Sequence, residues 1–96
     1  MEKSPCVYML ASRTNGTLYI GVTSNLPSRI AQHKAGMFKG FAKQYGVNRL
    51  VWFEPHETME SAILREKRLK KWKRAWKIRL IREDNPEWRD LASEIV

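Results

Sequence analysis

Two short apolar stretches near the start of the chain are typical of β-strands. Residues 5–12 and 18–24 are rich in β-forming side chains, and the segment between them contains Asn15–Gly16, a strong signal for a hairpin turn. Because strand side chains alternate between two faces, a tight two-residue turn places Tyr8 and Tyr19 on the same face. A turn centred on Asn15–Gly16 predicts a stagger of four residues between these tyrosines, about 13 Å at about 3.3 Å per residue.

The next segment carries the start and stop signals of a helix. Asn25–Leu26–Pro27 combines a capping residue with a proline in the first turn, and Gly36 is a typical stop signal. Within this helix, Arg29 and His33 are four residues apart. They therefore share one helix face.

The remaining pattern predicts one more strand and further helices. Residues 36–48 indicate an irregular connection, and Leu50–Glu54 is a third strand, apolar enough to be the central one. A basic helix or pair of helices follows over about residues 57–82, and Asn85–Pro86 opens a last helix. The predicted order is ββαβαα. We expect one α+β domain over residues 1–96, with helices flanking a three-stranded antiparallel sheet.

The net charge of +8 is concentrated in one part of the chain. Residues 65–82 hold ten of the 18 lysines and arginines, and Glu66 is the only acid among them. A dense positive segment attracts polyanions, of which nucleic acid is the commonest. We therefore expect DNA, or RNA as the alternative, to be the partner, with Lys70 and Lys73 as candidate phosphate contacts. A solvated helix face and a helix lying on anionic lipid are competing explanations.

Several classes of protein are excluded by simple counts. The single cysteine, Cys6, excludes an internal disulfide framework, and His33 and His56 lack the spacing of zinc ligands. The longest apolar run, residues 6–11, is far shorter than the about 18 residues of a membrane span. We expect a soluble cytoplasmic protein that contacts no membrane and has no obligate protein partner.

A small set of side chains has the chemistry of phosphoryl transfer. A guanidinium such as Arg29 can meet a phosphate with two parallel hydrogen bonds. Mg²⁺ takes one or two carboxylates and completes its shell with water and phosphate oxygens, so Glu66 alone is a sufficient protein ligand. A phenol such as Tyr8 or Tyr19 can relay a proton if neighbouring cations lower its pKa.

These residues occur in a recognisable order. Val7-Tyr8-Met9, then Tyr19-Ile20-Gly21, then Arg29 and His33 resemble the motifs of the GIY-YIG nuclease superfamily. The stretch around Glu66 is similar to the helix that carries that family's metal-binding glutamate. The basic, tryptophan-rich continuation resembles the small stand-alone bacterial members, so the resemblance covers nearly the whole chain. The first triplet departs from the family pattern because Val7 and Met9 replace glycine and isoleucine.

The resemblance implies a fold, an activity and roles for individual residues. It implies a ββαβα core and a DNA endonuclease that hydrolyses phosphodiester bonds with a divalent metal, Mg²⁺ or Mn²⁺. By position, Tyr8 is the general base or proton relay, and Tyr19 orients water or phosphate. Arg29 clamps the phosphate, His33 assists proton transfer or binds phosphate, and Glu66 holds the metal. The implied substrate contacts are Gly21, Lys43 and Asn85.

Each of these roles competes with a structural explanation. The two tyrosines can simply cover one sheet face, and Glu66 can form a helical ion pair with Lys70 four residues later. A non-catalytic nucleic-acid-binding module on the same scaffold is therefore the alternative function. The tryptophans follow helix faces, which predicts core positions rather than base-stacking platforms for Trp72, Trp76 and Trp88.

Overall fold

The computed structural model describes residues 4–37, 40 and 45–95. Within these ranges the predicted order ββαβαα is confirmed, and a short 3₁₀ helix follows it. Lys43 lies outside the described residues. The elements are β1 (Cys6–Ala11), β2 (Leu18–Thr23), α1 (Leu26–Lys34), β3 (Arg49–Pro55), α2 (Met59–Lys71), α3 (Arg74–Asp84) and the 3₁₀ helix (Leu91–Glu94).

The three strands form an antiparallel sheet in the order β2-β1-β3. The prediction that the third strand is central was wrong, because β1 occupies the centre and all six of its residues are buried. An uninterrupted apolar strand such as β1 is what burial on both faces requires. By contrast, β3 ends in Glu54 and Pro55, which are partly or fully exposed.

The hairpin between β1 and β2 is wider than predicted. Tyr8 pairs with Gly21 and Leu10 pairs with Tyr19, so the two tyrosines are offset by two residues rather than four. The reason is a six-residue loop, closed by a 3.0 Å hydrogen bond from the Ser12 N–H to the Thr17 carbonyl. The parity argument holds, because both phenol rings lie on one face with their centroids 6.3 Å apart.

Each face of the sheet has its own hydrophobic core. Helices α2 and α3 cover one face, where Val7, Met9 and Ile20 pack with Ala62 and Leu69. Helix α1 and the 3₁₀ helix cover the other. There the buried side chains are Cys6, Tyr8, Leu10, Leu26, Ile30, Val47, Leu50 and Leu91, with Tyr19 packed against them. The two tyrosines therefore lie on the α1 face.

Of the two alternatives for the basic segment, one helix or a pair, the structure shows the pair. Thr58 caps α2 by accepting a 3.1 Å hydrogen bond from the Ser61 N–H. The backbone is extended at Trp72 and Lys73, which separates α2 from α3. The prediction of core positions is correct for Trp88, which is 1 % exposed, but wrong for Trp76, which is 47 % exposed. In the part of the chain that is described, no helix is long and apolar enough to cross a membrane.

The predicted last helix at Asn85–Pro86 is wrong, because Asn85 ends α3 instead of starting a new helix. Its side-chain amide donates to the carbonyls of Val51 (3.2 Å) and Arg89 (2.9 Å), and its oxygen accepts from the Arg89 N–H at 2.9 Å. The side chain is 1 % exposed. A capping residue with three internal partners fixes the chain to the sheet and leaves no side-chain donor for a substrate.

A carboxylate near the end of the chain ties α1 to the sheet. Asp90 accepts from Lys34 at 2.6 Å and from the N–H groups of Leu50 (3.3 Å) and Ala92 (3.0 Å). Burial alone raises the pKa of a carboxyl, but the hydrogen bonds from Lys34 and Ala92 outweigh it and lower the pKa of Asp90. Lys34 is the last residue of α1, so this contact anchors the helix that carries Arg29 and His33.

Candidate active site

The buried phenol of Tyr8 is the centre of the candidate site. Tyr8 is 1 % exposed, and its ring lies over Gly21, its partner on β2. A Cβ built at Gly21 would overlap the Cζ and Oη atoms of Tyr8. The space that a side chain at position 21 would fill therefore belongs to the Tyr8 ring. The close approach of Tyr8 is therefore sufficient to explain the glycine, and the contact of Gly21 with substrate stays a prediction.

Helix α1 brings His33 to the same point. The Tyr8 hydroxyl lies 3.1 Å from His33 Nε2 in a buried hydrogen bond. The imidazole also packs edge-on against Tyr19, with ring centroids 5.4 Å apart. Asn25 fixes the start of this helix by accepting a 3.1 Å hydrogen bond from the Ser28 N–H. Residues 25 positions apart in the sequence, Tyr8 and His33, thus meet because a capped helix packs on the hairpin.

Arg29 adds a positive charge to this cluster. Its guanidinium interacts with the Tyr8 phenol both as a charge and as a hydrogen-bond donor. The pKa of Tyr8 is nevertheless raised, because burial and the neighbouring Tyr19 outweigh Arg29. The neighbouring cation Arg29 does lower the pKa of Tyr8, but not enough to bring it below its ordinary value. Tyr8 holds its proton at neutral pH.

His33 is held in its neutral form. Burial, and then the charge of Arg29, lower the pKa of His33 below its ordinary value of 6.5. A neutral imidazole with its proton on Nδ1 leaves Nε2 as an acceptor for the Tyr8 hydroxyl. The cluster can therefore pass a proton from Tyr8 to His33. It also presents a guanidinium for an anion, which is a combination suited to phosphate chemistry.

Glu66 is positioned by the inner side of α2. It is four residues after Ala62 and three before Leu69, which are both fully buried against the sheet, and its side chain is 14 % exposed. Its carboxylate forms an ion pair with Lys70 at 3.1 Å. Helix α2, which carries Glu66, covers the sheet face opposite the one that α1 covers.

The two faces meet at the outer edge of β2. A cavity of about 210 Å³ at this edge is lined by Leu18, Tyr19, Ile20, Lys70 and Lys77. Tyr19 belongs to the His33 cluster and Lys70 belongs to the Glu66 ion pair. Lys70 is therefore both the ion-pair partner of Glu66 and a lining residue of the cavity at Tyr19.

The donor set at Glu66 suits a cation only in part. Among the residues that the structure describes, no three acidic, histidine or cysteine side chains are grouped as metal ligands. A single carboxylate can hold Mg²⁺ when water and substrate phosphate supply the other oxygens. Glu66 fits this type of site, in which the substrate completes the metal shell.

The structure places the remaining predicted substrate contacts, Lys70, Lys73 and Asn85, in different surroundings. Lys70 lines the cavity beside Tyr19. Lys73 does not, because its ammonium lies 5.7 Å from the ring centroid of Trp76. Asn85 lies on the α2–α3 side of the sheet with its side chain bonded to backbone groups, as described above. It is therefore placed in a structural position and not at the site.

Two basic residues of α3 were missed by the sequence reasoning. Lys77 lines both the cavity at Tyr19 and a neighbouring cavity of about 340 Å³, which Thr17, Leu18 and Arg74 also line. Lys70 lies on α2, before the extended residues Trp72 and Lys73, so the i, i+3 spacing of Arg74 and Lys77 within α3 is the remaining sequence signal. It was masked by the uniformly basic composition of residues 65–82.

Comparisons with known proteins agree with this fold. The family model of the GIY-YIG catalytic domain matches residues 4–79. A UPF0213 protein of Syntrophus aciditrophicus is 34 % identical over 82 residues, which cover 84 % of this chain and 92 % of the relative. A UPF0213 protein of Staphylococcus aureus is 33 % identical over 70 residues, covering 73 % and 85 %. The solution NMR structure of a UPF0213 protein from Bacillus halodurans superposes with a TM-score of 0.57 at 25 % identity, covering 91 % of this chain and 92 % of that one.

Proposed function

Because the chain belongs to the family of GIY-YIG catalytic domains, we propose that it is a divalent-metal-dependent endonuclease that hydrolyses phosphodiester bonds in DNA. The observation that carries the proposal is the buried contact between Tyr8 and His33 beside the guanidinium of Arg29. A protein that only binds nucleic acid needs surface cations, but it does not need a phenol and a neutral imidazole in a protected hydrogen bond.

In the proposed reaction, Arg29 binds the non-bridging oxygens of the phosphate that is cleaved. Two parallel hydrogen bonds from a guanidinium stabilise the negative charge that grows on these oxygens in the transition state. Tyr19 is partly exposed beside the cluster, and its hydroxyl orients the attacking water. These two roles need no change in the protonation state of either side chain.

The proton of the attacking water leaves through Tyr8. Since the pKa of Tyr8 is raised, the phenol does not act as a free phenolate. Instead it passes its own proton to Nε2 of neutral His33 while it accepts the proton of the water. Tyr8 is then a relay and His33 is the terminal acceptor. The positive charge of Arg29 opposes the charging of His33, so the developing phosphate charge is needed to balance it.

The metal requirement rests on Glu66. Mg²⁺ or Mn²⁺, when bound, would supply positive charge that stabilises the leaving oxygen. Glu66 would hold the metal with its one carboxylate, and the ammonium of Lys70, now paired with that carboxylate, would then be available to bind a phosphate of the substrate. The ion pair at 3.1 Å keeps the carboxylate neutralised until substrate arrives.

The proposal is tested by nicking of supercoiled DNA with purified protein. We expect Mg²⁺ or Mn²⁺ to support nicking and EDTA to stop it. Tyr8→Phe, Arg29→Ala and Glu66→Gln are expected to lower the rate by at least about 100-fold, which is typical when a proton relay or a preorganised charge is removed. Glu60→Gln is the matched control, since Glu60 is an exposed carboxylate on the same helix. Each variant is checked for folding by circular dichroism.

One result would assign the alternative function. If wild-type protein binds DNA but does not nick it with either metal, the chain is a binding module. The ion pair between Glu66 and Lys70 is the feature that favours this alternative, because it gives the glutamate a purely structural partner. Nicking that persists in Glu66→Gln and Arg29→Ala would instead overturn the assigned site.

A further inference from the structure

We propose that a groove along the outer edge of β2 binds the phosphate backbone on one side of the cleaved bond, with Lys77 and Lys70 as its phosphate contacts. This inference rests on the proposed function, because it extends the same substrate beyond the reacting phosphate. We call this surface the β2-edge groove. It is lined by Thr17, Leu18, Tyr19, Ile20, Lys70, Arg74 and Lys77.

The groove is continuous with the candidate active site. Its two cavities, of about 210 and 340 Å³, share Leu18 and Lys77 as lining residues. Tyr19 lines the first cavity and packs against His33 in the catalytic cluster. A strand whose phosphate lies at the cluster can therefore continue into the groove without leaving the protein surface.

The groove has the charge and the backbone groups that a polyanion needs. Its lining side chains are apolar, hydroxyl-bearing or basic. Among the described strands, β2 has β1 as its one neighbour. Alternate N–H groups of such an edge strand point outward. The outward N–H groups of β2 and the side chains of Lys70 and Lys77 belong to the same groove, so both can donate hydrogen bonds to one phosphate chain.

Arg74 holds the wall of the groove in place. Its guanidinium donates to the carbonyl oxygens of Asn15 at 2.8 Å and Gly16 at 2.6 Å. These contacts attach the hairpin loop to α3, so β2 and α3 keep a fixed separation. Because its Nη2 group is bonded within the protein, we assign Arg74 as a positioning residue and the phosphate contacts to the two lysines.

The length of the groove sets how many phosphates it holds. Thr17 to Ile20 covers three residue steps, about 10 Å at about 3.3 Å per residue. One strand of duplex DNA places a phosphate every ~3.4 Å along the helix axis. Neighbouring phosphates lie further apart than this rise, because the backbone winds around the axis, so the groove accommodates about two phosphates, one for each lysine.

The test is the salt dependence of DNA binding, measured in EDTA so that cleavage plays no part. A fluorescent duplex and the corresponding single strand are titrated with wild type and with Lys77→Ala at 0.05–0.3 M salt. Losing one phosphate contact lowers the slope of log K against log salt by about 0.9 for duplex or about 0.7 for single strand. We take wild type and Lys77→Ala to bind equally at 1 M salt. At 0.1 M salt the variant should then bind duplex about eightfold and single strand about fivefold more weakly than wild type.

Lys71→Ala is the matched control. Lys71 is an exposed lysine at the end of α2, seven residues after the exposed Leu64 and so on the outer side of that helix. We expect its substitution to change the slope by less than half as much. Alanine is a strong helix former, so both variants should fold, which circular dichroism checks.

The possible outcomes separate this inference from the proposed function. A smaller slope for Lys77→Ala than for Lys71→Ala supports the groove, even if the protein nicks no DNA. Equal slopes for the two variants overturn the groove, even if wild type is an active nuclease. A second readout uses substrates shortened on one side of the cut. Shortening the flank that occupies the groove should weaken wild-type binding more than binding by Lys77→Ala.

Discussion

The close approach of Tyr8 to Gly21 gives a prediction whose sign decides between two explanations. In a strand without steric conflict, replacing glycine by alanine stabilises the protein by about 0.5–1 kcal/mol, because alanine loses less backbone entropy on folding. At position 21, however, the added Cβ would overlap the tip of the Tyr8 ring. Tyr8 is fully buried and cannot move without disturbing its neighbours. We therefore expect Gly21→Ala to destabilise the fold.

The magnitude follows from three contributions. Overpacking a core costs about 1–3 kcal/mol, and loss of the hydrogen bond between Tyr8 and His33 costs about 0.5–1.5 kcal/mol. The entropic gain of alanine offsets about 0.5–1 kcal/mol of this. The net destabilisation is about 2 kcal/mol, which lowers the Tm of a domain of this size by about 8–16 °C. Displacing the Tyr8 hydroxyl by about 1 Å should also slow nicking about 100-fold.

A double-mutant cycle isolates the steric term. Tyr8→Leu removes the ring tip that a Cβ at position 21 would meet. In that background Gly21→Ala should be neutral or stabilising, which gives a coupling free energy of about 2 kcal/mol between the two positions. Thermal unfolding of the four proteins is the assay. If Gly21→Ala raises the Tm of the otherwise wild-type protein, the steric explanation of this glycine is wrong.

Three further predictions concern other contacts. Asn85→Ala should lower the free energy of unfolding by about 2–4 kcal/mol in urea denaturation, since buried backbone groups lose their partners; exposed Asn48→Ala is the control, and equal effects would contradict the capping role. The pKa of His33 is lowered below 6.5 in the fold, so the unfolded chain binds more protons than the folded one, and the free energy of unfolding should fall as the pH drops below 6.5. His33→Gln should make the free energy of unfolding less dependent on pH in this range. An unchanged pH dependence in this variant would refute the role of His33. Arg74→Ala should increase the rate of amide hydrogen exchange in the hairpin loop, because both hydrogen bonds to the loop carbonyls are lost. An unchanged exchange rate would mean that the loop is stable without Arg74.

The sequence predicted those parts of the fold that depend on local signals. The hairpin, the capped helix α1 and the placement of both tyrosines on one face follow from turn residues, caps and strand parity, and all three are confirmed. The centre of the sheet was wrong, because an apolar run does not reveal how many neighbours a strand has. The helix expected at Asn85–Pro86 was wrong because the same residue types also end helices, and burial of the Asn85 amide against β3 decides between the two.

The candidate site was predictable as a set of residue types, but its electrostatics were not. Spacing alone places Arg29 next to His33. Burial raises the pKa of Tyr8 and lowers that of His33, and this burial depends on how α1 packs on the hairpin. Glu66 illustrates the same limit. Its position on α2 follows from helical spacing, but the sheet face that α2 covers does not.

The attachment of Asp90 to Lys34 has a consequence for where this domain can be cut or fused. The family model stops at residue 79, whereas the carboxylate that secures the far end of α1 lies eleven positions beyond it. A chimera joined after residue 79 would retain every residue proposed to take part in the reaction. It would nevertheless lose the contact between Asp90 and Lys34, which anchors the helix that carries Arg29 and His33. Truncations of this protein should therefore be designed around Asp90, and not around the boundary of the conserved domain.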